Sequence, residues 1–469
     1  MQGRWVVCKR ASSMNKEIVK ELTVIVGKER ASSRPEDLAI YSLDPHLEEH
    51  LPDIILYPLS TEEVSSIMKV AYREAIPVTP RGSGTNLAGQ TVPMRGGIVL
   101  AMTRMNRILE IDHENRVARV EPGVINFDLQ QEVEKFRLMY PPDPSSWKTA
   151  TMGGTVGTNA GGPKTLKYGV TRDYLLGLTV VLANGDVLKT GGRTIKNVTG
   201  YDLTRLICGS EGTLGIVTEI VVRLVPKPVA SRTIMAHFPR LENSSDAVAG
   251  IIKSGIVPTA LELMDRVVIQ AVEADAHLGL PTDVDAILLI EVDGEPEGLD
   301  LQVARIRDIL TSNQASGIQT ASSPEEAERL WTGRRAAFSV MARLRPNAMI
   351  EDATVPVSNL TAMVRKITEI AERHSLKIGV LAHAGDGNLH PIILFDHRDK
   401  DELDRVEKAT EAIFREALAL GGTLSGEHGI GMTKAPFLNL ELDPVAMAVT
   451  KRLKQSLDPK GILNPGKFV

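Results

Sequence analysis

Apolar and polar positions along the chain fall into two textures. Up to Pro226-Lys-Pro228 the apolar runs are short and separated by glycine-rich turns: Asp53-Ile-Ile-Leu-Tyr, Ile76-Pro-Val-Thr-Pro, Gly97-Ile-Val-Leu-Ala-Met, Arg116-Val-Ala-Arg-Val-Glu, Thr179-Val-Val-Leu-Ala and Gly215-Ile-Val-Thr-Glu-Ile-Val-Val. Runs of this kind, bounded by turn residues, predict strands. Asn184-Gly185 predicts a tight hairpin between two of them. Ser60-Thr-Glu-Glu63 has capping-box spacing and predicts a helix to about Glu74. A first helix is expected from Met14-Asn-Lys-Glu-Ile onward, which makes residues 1–13 an extension and Met14 an alternative start.

Beyond Pro228 long helical periods alternate with strands. Ser323 caps a helix to about Arg343; others are expected at 359–374, at 399–420 with Gly421-Gly422 as a left-handed stop, and at 444–457. Ile287-Leu-Leu-Ile-Glu-Val and Ala348-Met-Ile-Glu-Asp read as strands. So do the runs on either side of His383-Ala-Gly-Asp386-Gly387-Asn-Leu-His390. Asp386-Gly387 suits a two-residue turn in which both centres take positive φ. That turn would set His383 directly opposite His390, with Cβ atoms about 4.5–5.5 Å apart. Two imidazoles so placed can share a cation, and a carboxylate such as Glu427 would complete a His/His/carboxylate set with open positions. The competing reading is a pair of polar residues on a solvated hairpin.

Composition narrows the function. The chain has 469 residues and a formal charge of −5, with no basic block, so nucleic acid is not an expected partner. Its only cysteines, Cys8 and Cys208, exclude a disulfide scaffold and a four-cysteine metal or iron–sulfur site within this chain. No apolar stretch approaches the roughly 20 residues of a spanning helix, and the N-terminal residues lack a signal-peptide core. The expectation is a cytoplasmic protein, held at most at the inner membrane face through a partner.

The glycines carry the remaining signal. Arg81-Gly82-Ser83-Gly84-Thr85-Asn86 leaves a strand with freed amides and hydroxyls that suit an anion. Leu87 at the third glycine position rules out a dinucleotide fingerprint of the G-x-G-x-x-G kind. Pro141-Pro142-Asp-Pro144 and Gly153-Gly154-Thr-Val-Gly157-Thr-Asn159-Ala-Gly161-Gly162 follow, then Lys196-Asn-Val-Thr-Gly200-Tyr-Asp202 and Gly209-Ser-Glu211-Gly212-Thr-Leu-Gly215-Ile216-Val217. A linker would be richer in serine and charge; close backbone approach to a large planar ligand explains so little bulk better.

These segments, with Gly426-Glu427-His428-Gly429 and Leu463-Asn464-Pro-Gly466, closely resemble FAD-linked oxidases of the vanillyl-alcohol oxidase class. The second half is similar to the D-2-hydroxyacid dehydrogenases, in the group of glycolate oxidase catalytic subunits and D-lactate dehydrogenases. The resemblance runs from about residue 50 to the end. It implies an α+β fold: an N-terminal segment at 1–49, a two-lobed PCMH-type FAD-binding domain at 50–228, and an α/β cap domain at 229–469. The cap would carry an antiparallel sheet, and its last segment would return to the flavin.

The resemblance further implies that residues 81–86 wrap the FAD pyrophosphate and that Pro142, Gly153, Gly154, Gly157, Asn159, Gly161 and Gly162 line the flavin. Glu211, Gly212, Gly215, Ile216 and Val217 would lie toward the adenine, with Asn464 approaching the flavin. The pyrophosphate loop has no histidine, so non-covalent FAD is expected. His383, His390 and Glu427 match the family's metal ligands, suited to Zn2+ with Mn2+ or Fe2+ as alternatives. His428 is the expected base, with orienting a metal ligand or itself binding the metal as its other reading; Gly426 and Gly429 would leave it room for substrate. The family's Trp-x-x-Arg pattern selects Arg334 for the substrate carboxylate and leaves Arg335 as a solvated charge, pairing with Glu328 or another acid.

Phe338, Ile350 and Ile392 stand where the 2-hydroxyglutarate branch is polar, which favours a short monocarboxylate, D-lactate or glycolate, over a dicarboxylate. Electrons would leave to a quinone, an electron-transfer flavoprotein, a cytochrome, an iron–sulfur partner subunit or dioxygen. A homodimer is compatible with the resemblance. Rival readings are a metal-dependent hydrolase, a flavin-binding accessory subunit and a flavin-dependent synthase without net redox turnover.

Overall fold

In the computed structural model residues 14–45 and 48–468 are described; Cys8 and the 1–13 extension lie outside them. The chain forms two compact units. One comprises residues 14–161, 170–227 and 427–468; the other comprises 162–169 and 228–426.

The first unit contains two sheets. In one, the strands Ala31–Ser32, Ile54–Leu56, Ile98–Ala101 and Val78–Arg81 lie in that order, the last three mutually parallel. Its core is filled by Leu22 and Val26 from the helix Lys16–Val26 and by Val64, Ile67, Met68 and Ala71 from Thr61–Glu74. Ser60 caps the latter helix by accepting a hydrogen bond from the Glu63 amide, as its sequence spacing predicts. Val78–Arg81 delivers the chain into the glycine loop at the carboxyl end of a parallel strand, where open α/β sheets bind ligands. The chain end joins the same sheet: Leu463 bridges Val78 in parallel.

The second sheet is antiparallel, in the order Ile108–Asp112, Val117–Val120, Ile216–Arg223, Leu175–Val181, Val187–Gly191. Burial along Ile216–Arg223 alternates strictly, as expected of a strand with one face in a core. The Asn184-Gly185 hairpin is wider than the dipeptide implies. Val181 pairs with Val187, leaving residues 182–186 as the loop, and only Gly185 has positive φ. The loop is pinned elsewhere, since Ser65 Oγ donates to the Gly185 carbonyl and the helix Thr61–Glu74 packs against it.

The second unit is an eight-stranded antiparallel sheet. Its path runs Gly317–Thr320, Ala230–Phe238, Ala286–Gly294, Ala260–Asp265, Lys377–His383, Asn388–Phe395, Asn347–Ile350, with Ala353–Thr354 on the Asn388–Phe395 strand. One face carries Met235, Met264, Ile287, Leu289, Leu381, Ile392 and Leu394, buried under the helices Arg266–Ala276 and Pro324–Ala342. Against the hairpin strands also pack the helices Leu360–Arg373 and Lys400–Ala419, the latter stopped at Gly421 with φ +78°. The fold is α+β with mixed helices and mainly antiparallel sheets, as the sequence implies.

Candidate functional site

The histidine hairpin departs from its expected register. His383 pairs with Asn388, and His390 pairs with Leu381, so the loop is the four residues 384–387. Asp386 and Gly387 both donate their amides to the His383 carbonyl, and only Gly387, at φ +81°, is left-handed. Tertiary packing widens the turn. The Gly387 carbonyl accepts from the Val355 amide, and a Cβ at Gly387 would lie 2.0 Å from the Val355 oxygen. His383 and His390 are therefore diagonal neighbours and not an opposed pair. The offset is an even number of residues, so both still share one sheet face. Their rings meet edge to face with centroids 5.0 Å apart.

That corner of the face is polar and buried. Glu262, on the strand Ala260–Asp265, lies opposite His383 in register and holds its Nδ1 at 2.7 Å through Oε1. Glu262 Oε2 meets an Arg334 guanidinium nitrogen at 2.6 Å. Burial disfavours the Glu262 charge, but His383 and Arg334 beside it hold its carboxyl below the usual range. Arg334 belongs to the buried stripe Leu330, Gly333, Arg334, Ala337, Val340, Met341 of the helix Pro324–Ala342, while Arg335 turns outward and pairs with Glu328, as expected of a solvated charge. Asp352 is wholly buried and accepts from Ser425 Oγ at 2.7 Å.

The donor chemistry fits a divalent cation. Candidate ligand atoms of His383 and His390 lie within 4.8 Å of one another, as do those of His390 and Asp352. His383 also has the carboxylate behind it that metal-bound histidines characteristically use. Gly426 packs so tightly that a Cβ would fall 2.2 Å from Thr354 Oγ1 and 2.8 Å from the Asn388 amide. Glu427 follows in the chain and begins the segment that belongs to the first unit.

In the first unit, that segment is clasped by side chains. Glu211 accepts from the amides of Ile430 at 2.6 Å and Gly431 at 2.8 Å. Gln90 Nε2 donates to the His428 carbonyl at 2.7 Å. Burial pushes the Glu211 carboxyl up, against the pull of these amides. A Cβ at Gly429 would lie 2.3 Å from Glu211 Oε1. Close protein packing thus accounts for glycine at both Gly426 and Gly429.

The glycine segments form a cradle within the same unit. Gly153-Gly154-Gly157 lie on a short helix, Met152–Thr158, capped by Thr151 and closed by Asn159 in a left-handed conformation. A Cβ at Gly153 would hit Pro122, whereas one at Gly157 would meet nothing and one at Gly154 only Thr151. Gly154 and Gly157 therefore present an open strip of backbone. Among the described residues, no protein acceptor takes the amides of Ser83, Gly84 or Thr85. Arg81 and Asn86 serve the loop itself: Arg81 donates to the Leu43 carbonyl and Thr91, and Asn86 to Asp44.

Gly212, at φ +71°, and Gly215 sit where a Cβ would come 2.4 Å from Pro80 and from Val180. Ile216 is committed to the core, and Val217 pairs with Val180. The Pro142 carbonyl accepts from Asn126. Asn464 is buried and donates to the Gln90 and Glu211 carbonyls, while among the described residues its Oδ1 has no donor. Asn159, Glu211 and Asn464 hold positive φ in these segments, three of the ten described non-glycine residues that do. A flat ligand with phosphates fits them. Gly161 clusters with this unit and Gly162 with the other, where Lys167 and Tyr168 bind Asp293.

Sequence reasoning missed Glu262, Asp352 and Gln90. For Glu262 a signal existed: a lone carboxylate in the apolar run Ala260-Leu-Glu-Leu-Met is a charge that must be paired inside.

The comparisons agree with this architecture. Residues 52–191 match the FAD binding domain family and 227–468 the family of FAD linked oxidases, C-terminal domain. The glycolate oxidase subunit GlcD of Bacillus subtilis (strain 168) is 46% identical over 456 residues, covering 97% of each chain. The mitochondrial D-lactate dehydrogenase [cytochrome] of Arabidopsis thaliana is 36% identical, over 90% of this chain and 74% of that protein. Among solved structures, p-cresol methylhydroxylase with substrate bound superposes with a TM-score of 0.79 at 19% identity over 96% of both chains, a likeness of fold. The fold and site define an FAD-dependent oxidoreductase with a PCMH-type flavin domain. The chain belongs to the FAD-linked oxidase family.

Proposed function

We propose that the protein oxidises a short D-2-hydroxy monocarboxylate, glycolate or D-lactate, to the 2-oxo acid. The observation that carries this reading is the buried corner of the second unit: His383 and His390 on one sheet face, with Arg334 joined to His383 through Glu262. Relatives of high coverage are named glycolate oxidase subunit and D-lactate dehydrogenase, which supports the substrate class.

Non-covalent FAD, when bound, supplies a hydride acceptor at N5. Residues 82–85 and the open backbone of Gly154 and Gly157 would hold it, with Asn464 offering Oδ1. A divalent metal, zinc by donor type with manganese or iron as alternatives, would be held by His383, His390 and Glu427 and would favour the alkoxide form of the substrate. Arg334 grips the substrate carboxylate with the guanidinium edge that Glu262 leaves open, and Glu262 keeps that edge oriented. His428 takes the hydroxyl proton; its main chain is held by Gln90 and by the Glu211 clasp on the two following amides. Electrons then leave to an external acceptor: a quinone, an electron-transfer flavoprotein, a cytochrome or an iron–sulfur partner subunit.

Chain length of the substrate follows from the same sheet face. Ile350 lies opposite Ile392, two positions along the strand from His390, and Phe338 packs on the same apolar cluster. A second carboxylate buried there without partners would cost several kcal/mol. Anaerobic flavin reduction should therefore bleach the visible absorbance with glycolate or D-lactate. The kcat/KM for D-2-hydroxyglutarate should be lower by about 100-fold or more, since about 1.4 kcal/mol is a factor of ten. Equal rates with the dicarboxylate would refute the substrate assignment, and no bleaching by any 2-hydroxy acid would refute the reaction.

A further inference from the structure

We propose that Glu262 is a positioning residue that fixes the metal-binding tautomer of His383 and the orientation of Arg334 at once. The proposal rests on the reading above, in which His383 binds a metal and Arg334 a substrate carboxylate.

The strand Ala260–Asp265 is otherwise apolar up to Asp265, and Glu262 is 1% exposed, a setting in which a carboxylate survives only when paired. Its two oxygens are divided between two partners: Oε1 lies 2.7 Å from His383 Nδ1, and Oε2 lies 2.6 Å from an Arg334 nitrogen. An ionised carboxylate only accepts, so the hydrogen of a neutral His383 must sit on Nδ1. The lone pair is then on Nε2, which is the nitrogen able to ligate a cation. Strand register builds this arrangement, because Glu262 and His383 are Cα partners on adjacent strands. Arg334 reaches the same carboxylate from the helix that covers the face.

An amide cannot replace this carboxylate. With its oxygen toward His383 it turns an NH2 group on Arg334, so that two donors meet. Flipped, it donates to Nδ1, selects the other tautomer and places a hydrogen on the ligand nitrogen.

The test uses the FAD-loaded full chain and measures Zn2+ affinity by competition with a chromogenic chelator. Wild type is compared with His390→Ala, Glu262→Gln and the charge-neutral double variant Glu262→Gln/Arg334→Gln, with flavin content and thermal melting recorded for each. Wild type should bind zinc, and His390→Ala should not. Both Glu262 variants should bind it about 10–100-fold more weakly, with flavin content unchanged because the flavin cradle belongs to the other unit. The double variant keeps the test valid if an uncompensated Arg334 impairs folding of the single one. Equal zinc binding by wild type and His390→Ala would overturn the metal reading itself. Loss in His390→Ala together with a folded Glu262 variant that binds within twofold of wild type would overturn the role of Glu262 alone.

Discussion

On the proposed function, the two units prepare ligand sites by opposite means. In the flavin unit the instrument is backbone: glycines whose Cβ would collide with Pro80, Pro122 or Val180, residues in left-handed conformations, and amides with no acceptor among the described residues. In the sheet unit it is a charged network, Arg334–Glu262–His383, placed on a face otherwise filled by aliphatic side chains. A large ligand with flat and phosphate parts needs many shallow contacts. A small hydroxy acid needs a few strong ones, and those hold their charge only where partners replace water.

The largest effects should come from breaking the charged corner. His390→Ala should lower kcat/KM by about 1,000-fold, as expected for losing several kcal/mol of charge stabilisation, while the flavin spectrum stays unchanged. Arg334→Ala should approach that loss, since it removes the proposed carboxylate clamp and strands a buried Glu262. Arg335→Ala, one residue along and paired with exposed Glu328, should change stability by less than about 1 kcal/mol and leave kcat/KM at wild-type level. If Arg335 and Arg334 behaved alike, the contrast between buried network and solvated charge would fail.

Backbone recognition should break by a different readout. Gly212→Ala forces a Cβ to 2.4 Å from Pro80 Cγ at a φ of +71°. The conformational cost alone is of order 1–3 kcal/mol. The purified variant should carry substoichiometric FAD, measured by the ratio of visible to ultraviolet absorbance, with zinc affinity retained. Full flavin occupancy would show that this glycine is not required for the cradle.

What the sequence disclosed follows the same division. Glycine spacing and the Gly-Ser-Glu-Gly-Thr-Leu-Gly run are local patterns, so the FAD-binding family and most strands were legible, as was the capped helix Pro324–Ala342. The histidine turn was legible only in its parity. Its length is set by Val355 and Leu166 packing on Gly387 and Gly385, contacts distant in sequence. Gln90 and Asp352 were hidden for a related reason. Gln90 acts on His428, 338 residues away, and nothing near either residue encodes the pairing.

A separate effect concerns pH. Asp265 caps the helix Arg266–Ala276 and accepts the Val380 amide, yet burial pushes its carboxyl up to about 7. A carboxyl raised on folding contributes stability that is complete below its unfolded value near 4 and is lost as pH rises through about 7. Melting temperature measured from pH 4 to 7 should therefore contain a falling component that Asp265→Asn removes while keeping a capping side chain. An unchanged pH slope in the variant would assign that component elsewhere.

The most direct measurement is the rate of anaerobic flavin reduction by D-lactate or glycolate before chelation, after chelation with metal content verified, and after one equivalent of Zn2+ or Mn2+ is restored. The account predicts fast bleaching, loss of bleaching with FAD still bound, and recovery. Undiminished reduction in protein shown to be metal-free would contradict it.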